Sequence, residues 1–154
     1  MRIEQLVDCK TVLREGMVWD VREQRLYWID SLGCRVFRCT ADGGEVRAWD
    51  VPDKIGSMAL RRQGGAVLSL ANGFHFLDFQ SGETQLIVDP EPDKPNNRLN
   101  DGKVDHRGRF VAGSMDTMEA GANGALYRLD PDLSLHQLDS GIVVSNGPCW
   151  SPDG

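Results

Sequence analysis

Arg25-Leu26-Tyr27-Trp28-Ile29-Asp30, followed by Gly33-Cys34-Arg35-Val36-Phe37-Arg38-Cys39, decides the fold. The first run is aromatic and β-branched, the composition of a strand packed on a pleated surface. The second alternates with a period of two. Ala41-Asp42-Gly43-Gly44-Glu45 then supplies hairpin chemistry, because glycine reaches the positive φ of a tight turn without steric cost. Val46-Arg47-Ala48-Trp49 resumes the extended pattern. No window of a dozen residues carries a capped helical stripe.

Outward from this stretch, the same order of segments recurs. Val18-Trp19-Asp20, Ala59-Leu60-Arg61, Val104-Asp105-His106 and Cys149-Trp150-Ser151 each open a unit. Second strands are expected at 26–28, 66–70 and 109–112, third strands at 35–37, 74–77 and 125–129, and fourth strands at 45–49, 84–88 and 133–138. A period of about 40–46 residues with four strands per unit is the signature of a propeller blade. The expected fold class is therefore all-β, a β-propeller of four-stranded antiparallel blades at 15–57, 58–100 and 101–144, with the start of the next at 145–154. A closed ring takes about four to eight blades. The 154 residues thus read as a partial propeller domain, the N-terminal portion of a longer protein. The plain alternative is a small open sheet protein of three hairpin pairs.

Composition narrows the function classes. Hydrophobic residues make up 40% and charged residues 26%, a globular balance. With 17 Lys+Arg against 23 Asp+Glu the net charge is -6, which speaks against a nucleic-acid binder or an anionic membrane surface as partner. No stretch approaches the roughly 20 apolar residues of a membrane span. Residues 1–5 lack the apolar core of a signal peptide, so a cytoplasmic protein is expected. Cys9, Cys34, Cys39 and Cys149 fit no zinc or redox spacing and read as reduced thiols, with Cys149 packed inside the first strand of its blade. His75, His106 and His136 show no metal-ligand spacing, and neither a nucleophile elbow nor a phosphate loop is present.

Polar residues cluster where units begin: Arg14-Glu15-Gly16, then the eight residues 96–103, then Ser145-Asn146-Gly147. In a propeller the chain before the innermost strand runs along the top of the central channel. Glu15, Asn100 or Asp101, and Asn146 are therefore expected to converge from three blades. A carboxylate with amide carbonyls is a hard-oxygen set suited to Ca²⁺, Mg²⁺ or Mn²⁺, and to Zn²⁺ through the carboxylate. Taken singly, Glu15 reads as a solvated acid, Arg98 as a surface cation, and Asn-Gly as an ordinary turn. Their recurrence at one phase of the repeat is what sets them apart.

These segments also carry a resemblance. Glu15-Gly16-Met17-Val18-Trp19, the run Asn97-Arg98-Leu99-Asn100-Asp101-Gly102-Lys103-Val104-Asp105, Gly108-Arg109-Phe110, Gly124-Ala125-Leu126-Tyr127-Arg128 and Ser145-Asn146-Gly147 are similar to the gluconolactonase/regucalcin (senescence marker protein) family, across essentially the whole chain. The resemblance implies a six-bladed propeller with one divalent cation at the top of the channel and hydrolysis of a small-molecule sugar lactone. It implies Glu15 and Asn146 as metal ligands and Arg98, Asn100 and Glu119 as substrate contacts, with Asp116 the other acid near Glu119. The third ligand in the family, an aspartate that is also the catalytic acid/base, is expected beyond Gly154. Arg14 and Met17 stand where the family carries Gly and Pro. A non-catalytic Ca²⁺-binding or partner-binding propeller module is the alternative reading, and exposed blade edges raise self-association.

Overall fold

The computed structural model describes residues 2–153. Twelve strands form three antiparallel sheets. The first holds β1 (Arg14–Asp20), β2 (Arg25–Asp30), β3 (Arg35–Thr40) and β4 (Arg47–Asp50). The second holds β5 (Ile55–Leu60), β6 (Ala66–Leu70), β7 (Gly73–Leu77) and β8 (Thr84–Val88). The third holds β9 (Asn97–Val104), β10 (Phe110–Asp116), β11 (Gly124–Leu129) and β12 (Leu135–Ile142). Each sheet is ordered sequentially, so each is one blade of an all-β propeller. Among the described residues no helix is long and apolar enough to cross a membrane.

Hairpin geometry dictates sequential order: short polar turns join neighbours, and right-twisted strands then stack blade on blade. β5 packs against β9 on one side and β1 on the other, which makes the first strand of each blade the inner one. Between the first two blades, Tyr27, Ile29, Val36 and Trp49 meet Ile55, Leu68, Leu70 and Leu77. Between the second and third, Phe74 and Ala59 meet Leu99, Phe110 and Tyr127, with Phe74 edge-on to Phe110 at 5.8 Å between centroids. Burial of each such large side chain contributes about 1.5–3 kcal/mol, so the interblade layers hold the fold together. Trp28, Phe37 and Cys39 face outward and are covered by Val7 and Cys9 of the N-terminal segment.

That segment is fastened by one buried acid. Asp30, 3% exposed, ends β2 and accepts the backbone N–H groups of Val12, Leu13 and Gly33. Leu13 O in turn accepts from Ser31 N at 2.8 Å. Burial works to raise the Asp30 pKa, but the N–H donors outweigh it and hold the carboxyl below its ordinary 3.8. The start of β1, where Glu15 sits, is thereby fixed to its own blade.

Two expectations are corrected. The inner strands begin earlier than their apolar residues imply: at Arg14 rather than Val18, Ile55 rather than Ala59, and Asn97 rather than Val104. The polar run 96–103 is thus nearly all strand, not the approach to one. At the C-terminal end, residues 149–151 form no strand and Cys149 is exposed, while Trp150 Nε1 donates to Val104 O and Ser151 O contacts His106 Nε2. All four cysteines are free thiols.

Candidate functional site

All three inner strands break register, starting in their first half. Against β2, the pairing slips between Glu15 and Val18; against β6, between Ile55 and Ser57; against β10, between residues paired with Leu99 and Gly102. Each slip is a bulge, which bends the strand and re-aims its side chains. In β1 the bulge contains Gly16 at φ +58, a left-handed conformation that glycine adopts without penalty. In β5 it is Gly56, whose missing Cβ would lie 2.2 Å from Asn100 O. In β9 it is Asn100-Asp101 itself. The β5 and β9 bulges therefore meet across the blade boundary; the one in β9 carries oxygen-bearing side chains, and Glu15 immediately precedes the one in β1.

Asn100 is 8% exposed and locked on both ends. Its backbone O accepts from Ser57 Oγ at 3.2 Å and Ser69 Oγ at 3.1 Å, across the blade boundary. Its side-chain Nδ2 donates to Ser145 O at 2.8 Å. The neighbouring Asp101 accepts from Gly147 N at 2.7 Å. The two contacts bracket Asn146 and fix its turn while its side chain stays exposed. Sequence reasoning placed Asn100 on substrate and left Asp101 as an alternative. Neither bracketing contact had a sequence signal, since each joins residues 45 or 46 positions apart.

The Glu15 side chain is exposed and forms no hydrogen bond or ion pair among the described residues. Its charge lies near Arg98: burial pushes the Arg98 guanidinium below its ordinary pKa, and Glu15 opposes that shift. Arg98 donates from Nη1 to Leu99 O at 3.1 Å, leaving the rest of the guanidinium for other acceptors. Arg14 turns the other way, donating to Cys9 O and Thr11 Oγ1 in the N-terminal segment. Successive strand residues face opposite sides, so the extra cation does not compete for Glu15.

Glu119 is exposed on the loop after β10 at φ +51, and its backbone N donates to Asp116 O at 2.9 Å. It forms no hydrogen bond with Glu15, Arg98, Asn100 or Asn146 among the described residues. Asp116 is committed to its own loop: it accepts from Met118 N at 2.9 Å and Asn123 Nδ2 at 2.8 Å, which hold its pKa low.

A concavity of about 700 Å³ runs along the inner strands, lined in part by Met17, Trp19, Met58, Leu60 and Lys103. Its lining also includes Gly16, Asp101 and Gly147, which directly follow Glu15, Asn100 and Asn146 in sequence. The three segments therefore border one space. No group of three or more His, Cys, Asp or Glu side chains stands ready for a metal among the described residues. The chemistry on offer is instead one carboxylate and one amide carbonyl, both exposed and both unengaged, Glu15 on β1 and Asn146 on a turn held by Asn100 and Asp101. Two hard oxygens of this kind fit part of the shell of a divalent cation.

Comparison with known proteins identifies relatives of this fold. The SMP-30/Gluconolactonase/LRE-like region matches residues 13–154. An L-arabinolactonase of Azospirillum brasilense is 38% identical over 153 residues, covering 97% of this chain and 51% of the relative. A regucalcin of Xenopus laevis is 37% identical over 158 residues, covering 99% and 53%. The solved structure of a luciferin-regenerating enzyme superposes with a TM-score of 0.85 at 29% identity, over 94% of this chain and 50% of that one. The chain spans about half the length of the curated relatives it matches.

Proposed function

The chain belongs to the SMP-30/gluconolactonase/LRE-like family, and from that premise we propose that the whole protein hydrolyses a sugar lactone to the aldonic acid with the help of a divalent cation. The observation that supports the reading is the bulge in each inner strand, with Glu15 flanking the one in β1, Asn100 inside the one in β9, and the Asn146 turn tied to Asn100 and Asp101. Hydrolysis of an activated cyclic ester needs no covalent nucleophile, only an oriented ring, a stabilised oxyanion and a path for one proton.

Glu15 and Asn146 would hold the cation, whether Ca²⁺, Mg²⁺, Mn²⁺ or Zn²⁺. When bound, such an ion supplies Lewis-acid stabilisation to a developing oxyanion. Arg98 is the natural partner for lactone or hydroxyl oxygens, since a half-buried guanidinium with free N–H groups recognises oxygen strongly. Asn100 Nδ2 is taken by Ser145 O, so its contribution to substrate is through Oδ1, accepting from a sugar hydroxyl. Glu119 would close over the ring from its loop. Proton transfer falls to a carboxylate outside this set.

The relatives carry two kinds of name, and regucalcin matches as well as lactonase does. A non-catalytic cation-binding propeller is therefore the competing reading. Turnover separates them. The whole protein, offered gluconolactone, xylonolactone and arabinonolactone and followed by pH-indicator absorbance, is expected to hydrolyse at least one faster than the background. A background rate on all three, with cation binding retained, would favour the binding module.

A further inference from the structure

Outside the bulges, Glu91 is a buried carboxylate that the chemistry above does not use. Glu91 lies on the loop between β8 and β9, with its side chain 7% exposed. Its carboxylate accepts three donors: Lys94 Nζ, Asn97 Nδ2 and Tyr127 OH, each at 2.9 Å. Burial works to raise its pKa, but the Lys94 and Asn97 donors outweigh that and hold it ionised. The donors come from its own loop, from the first residue of β9 and from β11.

The network continues past Glu91. Lys94 Nζ and Asn97 Nδ2 also donate to Asn123 O, at 2.9 and 3.0 Å. Asn123 Nδ2 reaches Asp116 at 2.8 Å. Thr117 donates to Asn96 O from both its backbone N and its hydroxyl, each at 2.9 Å. Two segments are joined by these bonds. One is the start of β9, where Asn97 immediately precedes Arg98. The other is the loop from Thr117 to Asn123, which contains Glu119.

We propose that Glu91 is a positioning residue for substrate binding, holding the start of β9 and the loop after β10 in fixed relation so that Arg98 and Glu119 face the same ligand. The proposal rests on the lactonase reading for its effect on catalysis. Its physical ground is independent of it: a buried carboxylate with three donors loses a matched acceptor when neutralised, and the donors are then left unpaired or opposed. Glu91 touches no substrate. It acts through Asn97 on one side and Asn123 on the other, so its loss misplaces groups that bind rather than groups that hold the cation.

The test is Glu91→Gln in the whole protein. Glutamine keeps the volume but turns an N–H₂ toward a site filled with donors. The expected result is a rise in KM of about 10-fold or more, with kcat changed less than about threefold and cation affinity unchanged, since misplacing a binding group by about 1 Å already costs up to 100-fold. Amide exchange at Asn97 and Thr117, whose N–H groups bond Lys94 O and Asn96 O, is expected to quicken. Tyr127→Phe removes one donor and should raise KM in the same sense by less; it stands in if the glutamine variant does not fold. A lower melting temperature with KM unchanged would overturn the proposal and leave Glu91 a structural brace. Inactive wild-type protein would sink the lactonase reading alone, and amide exchange would then decide: unchanged protection at both positions overturns the positioning role, and faster exchange upholds it.

Discussion

Glu15→Gln in the whole protein is expected to lower kcat/KM for lactone hydrolysis by about 1,000-fold while leaving the fold in place. The Glu15 side chain is exposed and hydrogen-bonded to nothing among the described residues, so its replacement opens no cavity and orphans no donor. Its losses are chemical. A neutral amide replaces the one anionic group of the proposed cation site, and losing a group that supports oxyanion stabilisation costs about 100- to 1,000-fold by itself. The half-buried Arg98 also loses the negative charge that offsets its desolvation. The variant should therefore bind the cation more weakly and the lactone with a higher KM, while the cation-free proteins melt at the same temperature. A rate within about fivefold of wild type would remove Glu15 from the site.

The second large effect is on stability. Asp30→Asn is expected to destabilise the protein by about 2–3 kcal/mol at neutral pH, read from the denaturant midpoint. Three backbone N–H groups converge on the Asp30 carboxylate, and the amide can accept from only part of that set while its own N–H₂ meets donors. Space offers no relief, because the backbone closes on the carboxylate so tightly that a Cβ on Gly33 would lie 2.1 Å from Asp30 Oδ2. The pH dependence has a fixed sign. The folded-state pKa is depressed, so the stabilisation is fully present above 3.8 and is lost as pH falls through the lower folded value. The difference between wild type and variant should accordingly shrink in acid. A constant difference down to the acid transition would mean that the carboxylate charge is not what fastens the N-terminal segment.

Much of the fold was legible because outer and middle strands obey simple rules. β6 at Ala66–Leu70 and β8 at Thr84–Val88 lie where alternation and flanking turns place them. The inner strands were misread for one physical reason. β9 reads NRLNDGKV, and only Leu99 and Asn100 in it are buried. Its interblade contact is made by glycines and small polar groups, with Gly56 against Asn100 O and Gly102 against Ser57 Oγ, so apolar patterning carries no record of it. A polar strand at a channel looks like a loop when only side chains are counted.

The site was legible to a different degree. Glu15, Arg98, Asn100, Asn146 and Glu119 were picked from their phase in the repeat and from family likeness. Nothing in the sequence showed how they are held. The bulge at Gly16 needs the pairing register to be seen, and the clasp of Asn100 and Asp101 on the turn at 145–147 needs the third dimension. Glu91 was invisible for the same reason: its partners Asn97 and Tyr127 are 6 and 36 residues away.

The claim at the centre is that a cation held by Glu15 and Asn146 makes this scaffold a lactonase. The most direct test is the initial rate of lactone hydrolysis by the whole protein before and after chelation with EDTA, followed by return of Ca²⁺, Mg²⁺, Mn²⁺ or Zn²⁺ in turn. The account predicts loss of the rate on chelation and its recovery with at least one of the four ions. A chelated protein that keeps its full rate, with cation removal verified by elemental analysis, would contradict it.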